Sequence, residues 1–224
     1  MEARRRDILV GLIVLGSIWG ALEILLGAGM RSAGIPHKGD VLTALGIGIL
    51  AFAFAAYRKP LVLIGIAAIA ASMRQLAVPI LHLSFFCKAN SCLAVLLGGT
   101  AVAGFARLAA SPLKRGYLAR VGTGFASGFS AALGFYFIGM HVAPCPYLLS
   151  FNRPGGLVAF IGAEAIIWAA LSAITFPIGY RIGEKVHQSM RELSLRRPVS
   201  YYASLLTIAG LCWIAGALVI ARGF

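Results

Sequence analysis

Seven apolar runs, each about the length of a membrane crossing and each separated from the next by a polar gap, dominate this chain. They lie at about 8–29, 41–57, 61–81, 91–110, 119–140, 156–180 and 201–221, against the roughly 20 residues that a spanning helix needs. A bilayer interior satisfies backbone polar groups only in helices or closed barrels. The runs are continuous rather than short alternating segments, which selects helices. The expected fold class is therefore all-α, a polytopic membrane helix bundle of about seven transmembrane helices. Composition agrees, with 60% hydrophobic residues and 12% charged. A soluble domain carries about 25% charged residues. A water-soluble globule, a disordered chain and a disulfide-framed secreted mini-protein are excluded, and 27 glycines against nine prolines exclude a collagen-like repeat.

The net charge of +13 invites a nucleic-acid reading, but the basic residues sit in the gaps between apolar runs and form no continuous basic face. They read instead as topology signals and contacts to the lipid bilayer. Sorted by gap, fourteen lysines and arginines fall on one side and five on the other, with Arg74 inside a helix. The positive-inside rule then places the amino terminus in the cytoplasm and the carboxyl terminus outside, in a multi-pass protein of the cell membrane. Arg4-Arg5-Arg6 before an apolar run resembles the start of a signal peptide. The run is too long, contains Glu23 and lacks a small-residue cleavage site, so it reads as a retained first helix. The expected organisation is a six-helix bundle over 1–184, a cytoplasmic basic linker over 185–200 and an additional transmembrane helix over 201–224.

Three ionisable residues interrupt the spans: Glu23, Arg74 and Glu164. Charges within a span cost about 2.5–3.5 kcal/mol on insertion scales and usually face the bundle interior. Counting from the helix ends at about 1.5 Å per residue puts all three roughly 9–12 Å below the outer boundary. One reading is an ion pair of Arg74 with one glutamate that only fixes packing. The other is an outward-open polar cavity for a small polar or cationic solute. Its lining would be Glu23, Arg74 and Glu164 with their neighbours Trp19, Gln75 and Trp168, because small-ligand pockets combine aromatic walls with a few aimed polar groups.

The outer loops and helix ends also collect His37, His82, Cys87, Cys92, His141 and Cys145. Imidazole and thiolate are usual ligands of soft and borderline metals, so a metal site built from His82, Cys87, Cys92, His141 and Cys145 is one candidate. A disulfide from Cys87 to Cys92 or Cys145 is a second, since an outer face is oxidising. Unpaired, incidental residues are the third. The spacing His82-x4-Cys87-x4-Cys92 matches no tight zinc pattern.

Small residues recur at helical spacing. Gly16-x3-Gly20 is offset by one from Ser17-x3-Ala21, and Gly124-x3-Gly128 lies in the fifth run. Such seams allow close helix approach. In the fifth run they read as internal packing, whereas on the first helix they offer a face for a partner protein.

The run Ser17-Ile-Trp-Gly-Ala-Leu-Glu-Ile-Leu-Leu-Gly27, the turn Gly34-Ile-Pro-His37-Lys-Gly39 and Leu42-x2-Leu45-Gly46 together resemble the opening of substrate-binding (S) components of energy-coupling-factor transporters. The resemblance covers about 11–50. It implies a six-helix bundle with a pocket open to the outside for a small-molecule solute, lined by Glu23, Arg74 and Glu164. It also implies that Gly16, Ser17, Gly20 and Ala21 dock a membrane coupling subunit driven by cytoplasmic ATPases. The amino-terminal His motif of the nickel and cobalt members is absent.

The chain shows no phosphate-binding loop, nucleophile elbow, H-E-x-x-H or dinucleotide fingerprint. The expectation is a substrate-capture subunit that is not an enzyme and carries no cofactor. The alternative is a redox or metal-binding membrane protein using the outward His and Cys residues.

Overall fold

The computed structural model of the chain describes residues 2–82 and 88–223, and these form helices with no strand. Seven helices are long and apolar enough to cross a membrane: Arg6–Ser32, Lys38–Tyr57, Pro60–Leu81, Ala89–Leu108, Tyr117–Val142, Gly156–Arg196 and Pro198–Ala221. The protein is a multi-pass, all-α membrane bundle.

In finer detail, α1 spans Glu2–Ser32, α2 Lys38–Tyr57 and α3 Pro60–Gln75, followed by a short α4 over Ala77–Leu81. The break between α3 and α4 has a covalent cause. Pro79 has no amide hydrogen to give the Gln75 carbonyl, and its ring crowds that position. Then come α5 (Ala89–Leu108), the single turn α6 (Pro112–Arg115), α7 (Tyr117–Val142) and the single turn α8 (Pro146–Leu149). The sixth span starts as α9 (Gly156–Phe160), widens to a π-helical turn over Ile161–Ala165 and continues as α10 (Ile166–Arg196). The last helix is α11 (Pro198–Ala221).

The packing order follows small residues. α2 is the most enclosed helix and packs chiefly on α10, where Gly179 and Gly183 meet the Gly48 and Phe52 carbonyls. α10 also lies on α7, with Gly124 and Gly128 receiving Ser172 and Trp168. α3 packs between α1 and α5, and α5 closes onto α7. The main core joins Trp19, Ile47, Leu50, Phe54, Leu63, Ile66, Val102, Phe176 and Tyr180. At the cytoplasmic end assigned by the charge count, Glu184 bridges Arg58 (3.2 Å) and Arg120 (3.0 Å). The Arg120 guanidinium also stacks 4.3 Å from the Tyr180 ring centre.

One expectation is corrected. Residues 185–196 are not a linker but the last turns of α10, because Glu184 to Arg197 contains neither glycine nor proline and is rich in strong helix formers. Pro177 lies inside this helix, which runs through it. The connection to α11 is the single residue Arg197.

α11 leans on α1, where Tyr202 donates its hydroxyl proton to Asp7 and Trp213 Nε1 donates to Ser17 Oγ at 2.9 Å. Leu206, Leu211, Ile214 and Leu218 are left exposed for lipid. Interhelical hydrogen bonds in membranes are worth about 0.6 kcal/mol on average and up to about 1.7. Ser17 is fully buried, so Trp213→Phe should destabilise the protein by about 1 kcal/mol. Denaturation in mixed detergent would measure this, and an unchanged midpoint would mean that the Trp213–Ser17 contact does not hold α11.

Candidate functional site

The interrupting charges separate into two groups. On α1 and α3, Arg74 pairs with Glu23, whose other oxygen accepts from Trp19 Nε1 at 3.2 Å. Beside this pair is a cleft of about 50 Å³, lined among others by Glu23, Arg31, Arg74, Lys88 and Ile220. That volume holds one or two water molecules. Gln75 follows Arg74 in the chain, and its Oε1 is buried without a hydrogen-bond donor among the described residues.

Glu164 does not join this pair. α2 packs on both α1 and α10 and so holds Glu164 away from α1. The proposed layer of three charges meeting in one cavity is therefore corrected: Glu23 and Arg74 satisfy each other, and Glu164 belongs to a second group. Trp19 and Trp168 are each tied to a carboxylate, but Trp168 donates to Asp40 rather than to Glu164.

That second group is built by four short segments at the end of the bundle assigned to the outside. His37 precedes α2 in a left-handed conformation (φ 54°), and Asp40 lies in the first turn, where a carboxylate suits the positive end of the helix dipole. Its Oδ2 is 2.9 Å from His37 Nδ1, and its Oδ1 accepts from Trp168 Nε1. The π-helical turn places Glu164 over the same spot, with Oε1 3.9 Å from His37 Nδ1. One ligand atom each from His37, Asp40 and Glu164 lies within 4.8 Å of the others. Tyr147 of α8 donates its hydroxyl to Glu164 Oε1.

Exposure grades sharply across the group. The Asp40 side chain is 2% exposed, Glu164 14% and His37 46%, so the site is dry beneath and open at the imidazole. Its floor is apolar, with Trp168 stacked on Phe135 at 5.8 Å between ring centres. Burial, and then the hydrogen bond and charge of Glu164, push the Tyr147 phenol above its usual range, so Tyr147 remains a proton donor. Among the described ion pairs, neither Asp40 nor Glu164 has a lysine or arginine partner. Two carboxyl groups and one imidazole thus converge with no lysine or arginine among the described ion pairs, an arrangement of donors that can receive a cation.

Among the described residues, the other expected ligands do not assemble. His82 is exposed at the end of α4, and exposed His141 bonds the Phe137 carbonyl of its own helix. Cys92 is buried and donates to the Ala71 carbonyl at 3.4 Å. Cys92, Cys145 and Cys212 are free thiols, while Cys87 lies outside the described residues. The helical geometry of α5 turns Cys92 into the core.

The small-residue face of α1 is also occupied from within. A Cβ on Gly16 would lie 2.7 Å from Ile69 Cβ and one on Gly20 2.8 Å from Met73 Cβ, so both glycines seat α3. Ser17 is covered by Trp213 of α11, and Ala21 is buried. At these four residues the seam packs the chain on itself.

Asp40 and Tyr147 escape a reading based on charges within spans, because one begins a helix and the other follows one. The usable signals are His37-x2-Asp40 across a helix start and Glu164-x3-Trp168 on one helical face. Set against known proteins, the chain matches no family model, no curated protein and no solved structure.

Proposed function

We propose that this is a cell-membrane substrate-capture protein that takes a small cationic solute from the outer side and performs no chemistry on it. The observation that carries the reading is the His37–Asp40–Glu164 group, open at the imidazole and walled by Trp168 and Tyr147. A solute entering there exchanges bulk water for two carboxylate oxygens and an aromatic wall, which favours positive charge. The resemblance of the first two helices to S components supports the same outward-facing role. The Arg74–Glu23 pair serves packing in this reading, since each charge already has its partner.

The test is thermal unfolding of the full-length protein in nanodiscs with polyamines, quaternary ammonium compounds and divalent metal ions. A solute at a hundred times its Kd stabilises the folded state by about 2.7 kcal/mol. The expected result is that one class raises Tm, that Asp40→Asn and Glu164→Gln abolish the shift, and that Glu23→Gln preserves it. Equal stabilisation of the wild type and both site variants, or no shift with any class, overturns the reading.

A further inference from the structure

We infer that the ligand held by His37 Nδ1, Asp40 Oδ2 and Glu164 Oε1 is a divalent first-row transition-metal ion of the Mn²⁺ to Zn²⁺ series. This inference rests on the capture site proposed above and names its substrate class.

Distance supports it first. Donors about 2.0–2.2 Å from a tetrahedral ion stand about 3.4 Å from one another. Here His37 Nδ1 is 2.9 Å from the Asp40 oxygen and 3.9 Å from the Glu164 oxygen, two distances that bracket that spacing, and one ligand atom of each residue lies within 4.8 Å of the others.

Charge supports it next. Two carboxyl groups face one imidazole with no lysine or arginine among the described ion pairs, so the charge of a divalent ion would be matched by these two side chains. Donor chemistry narrows the class, because an imidazole nitrogen suits the transition metals, whereas Mg²⁺ and Ca²⁺ prefer all-oxygen shells. Among the described residues no thiolate joins the group, which disfavours Cu⁺.

The surroundings are those of a ligand set held in place. Trp168 Nε1 donates to the Asp40 oxygen opposite the one facing His37, and Tyr147 donates to the same Glu164 Oε1 that faces His37, an oxygen with a second lone pair for an ion. Outer partners of this kind orient metal-binding carboxylates. Three protein donors leave a fourth position on the exposed His37 side, which suits an ion that exchanges rather than one sealed in.

The experiment uses the full chain in nanodiscs, without a polyhistidine tag and stripped by chelator, titrated calorimetrically with Zn²⁺, Co²⁺, Mn²⁺, Mg²⁺ and Ca²⁺. One transition-metal ion per chain is expected, with Mg²⁺ and Ca²⁺ at least tenfold weaker. His37→Gln, Asp40→Asn and Glu164→Gln should each weaken binding at least tenfold, and His82→Gln with His141→Gln should leave it unchanged. Should the site variants fail to fold, the wild-type Co²⁺ absorption spectrum decides. Ligand-field bands without a thiolate charge-transfer band support the site, and a thiolate band moves the ion to a cysteine and overturns it. No binding, or binding indifferent to all three site variants, also overturns it. Failure separates cleanly from failure of the capture role. An organic cation that binds through Asp40 while no metal does leaves the capture role standing without the metal, and no ligand of either kind removes both.

Discussion

Gly179→Leu is expected to prevent stable assembly of the bundle. A Cβ at Gly179 falls inside the van der Waals shell of the Gly48 carbonyl oxygen, and a backbone atom cannot swing aside as a side chain can. The α2–α10 contact is the most extensive in the molecule and carries Asp40 on one helix and Trp168 on the other. Overpacking in a flexible site costs about 1–3 kcal/mol. Against rigid backbone the cost should lie at or above the top of that range, enough to consume much of an ordinary protein's stability of about 5–15 kcal/mol. Even Gly179→Ala should be strongly destabilising. Gly98→Ala and Gly104→Ala are the controls, since a Cβ there meets nothing within 4 Å and alanine is the better helix former. Detergent denaturation with size-exclusion chromatography measures all four. A Gly179→Ala protein as stable as the controls would refute the close approach.

Arg74→Met should cost about 3–5 kcal/mol, because it strands the buried Glu23 carboxylate without its counter-charge. The double variant Glu23→Gln with Arg74→Met removes both charges and should recover most of that loss, as replacement of a buried pair by neutral groups is often nearly neutral. The cycle distinguishes a packing pair from a ligand-binding one. In the packing case the double variant folds and still binds solute at the His37 group. If instead the double variant folds but loses all solute binding, the binding role belongs to α1 and α3, and the site assignment is wrong.

The spans were legible because their signal is a length. An apolar run either reaches across a bilayer or does not, and all seven runs recur as helices. Height along a helix was legible for the same reason, but azimuth was not. Glu23 and Glu164 sit at comparable depths by residue count, yet α2 lies between their helices, and only packing decides that. The π-helical turn at Ile161–Ala165 shifts the direction of Glu164 without any motif to announce it. Asp40 gives no such signal, because an acid in a first helical turn already has a reason to be there. The stretch after Arg181 misleads in the opposite way, since falling hydropathy marks departure from lipid and says nothing about the end of a helix.

That stretch sets the architecture of the last helix. The sixth span runs unbroken for 41 residues from Gly156 to Arg196, about 60 Å at 1.5 Å per residue, against a hydrocarbon layer of about 30 Å. Its excess forms a stiff boom at the end of the bundle that the charge count assigns to the cytoplasm, ending in a one-residue elbow at Arg197 from which α11 turns back to lie along α1. The reach of that boom, rather than any slack tether, dictates where the final helix re-enters. Trimming one turn from it would rotate and retract the elbow together, so that Trp213 would no longer arrive opposite Ser17.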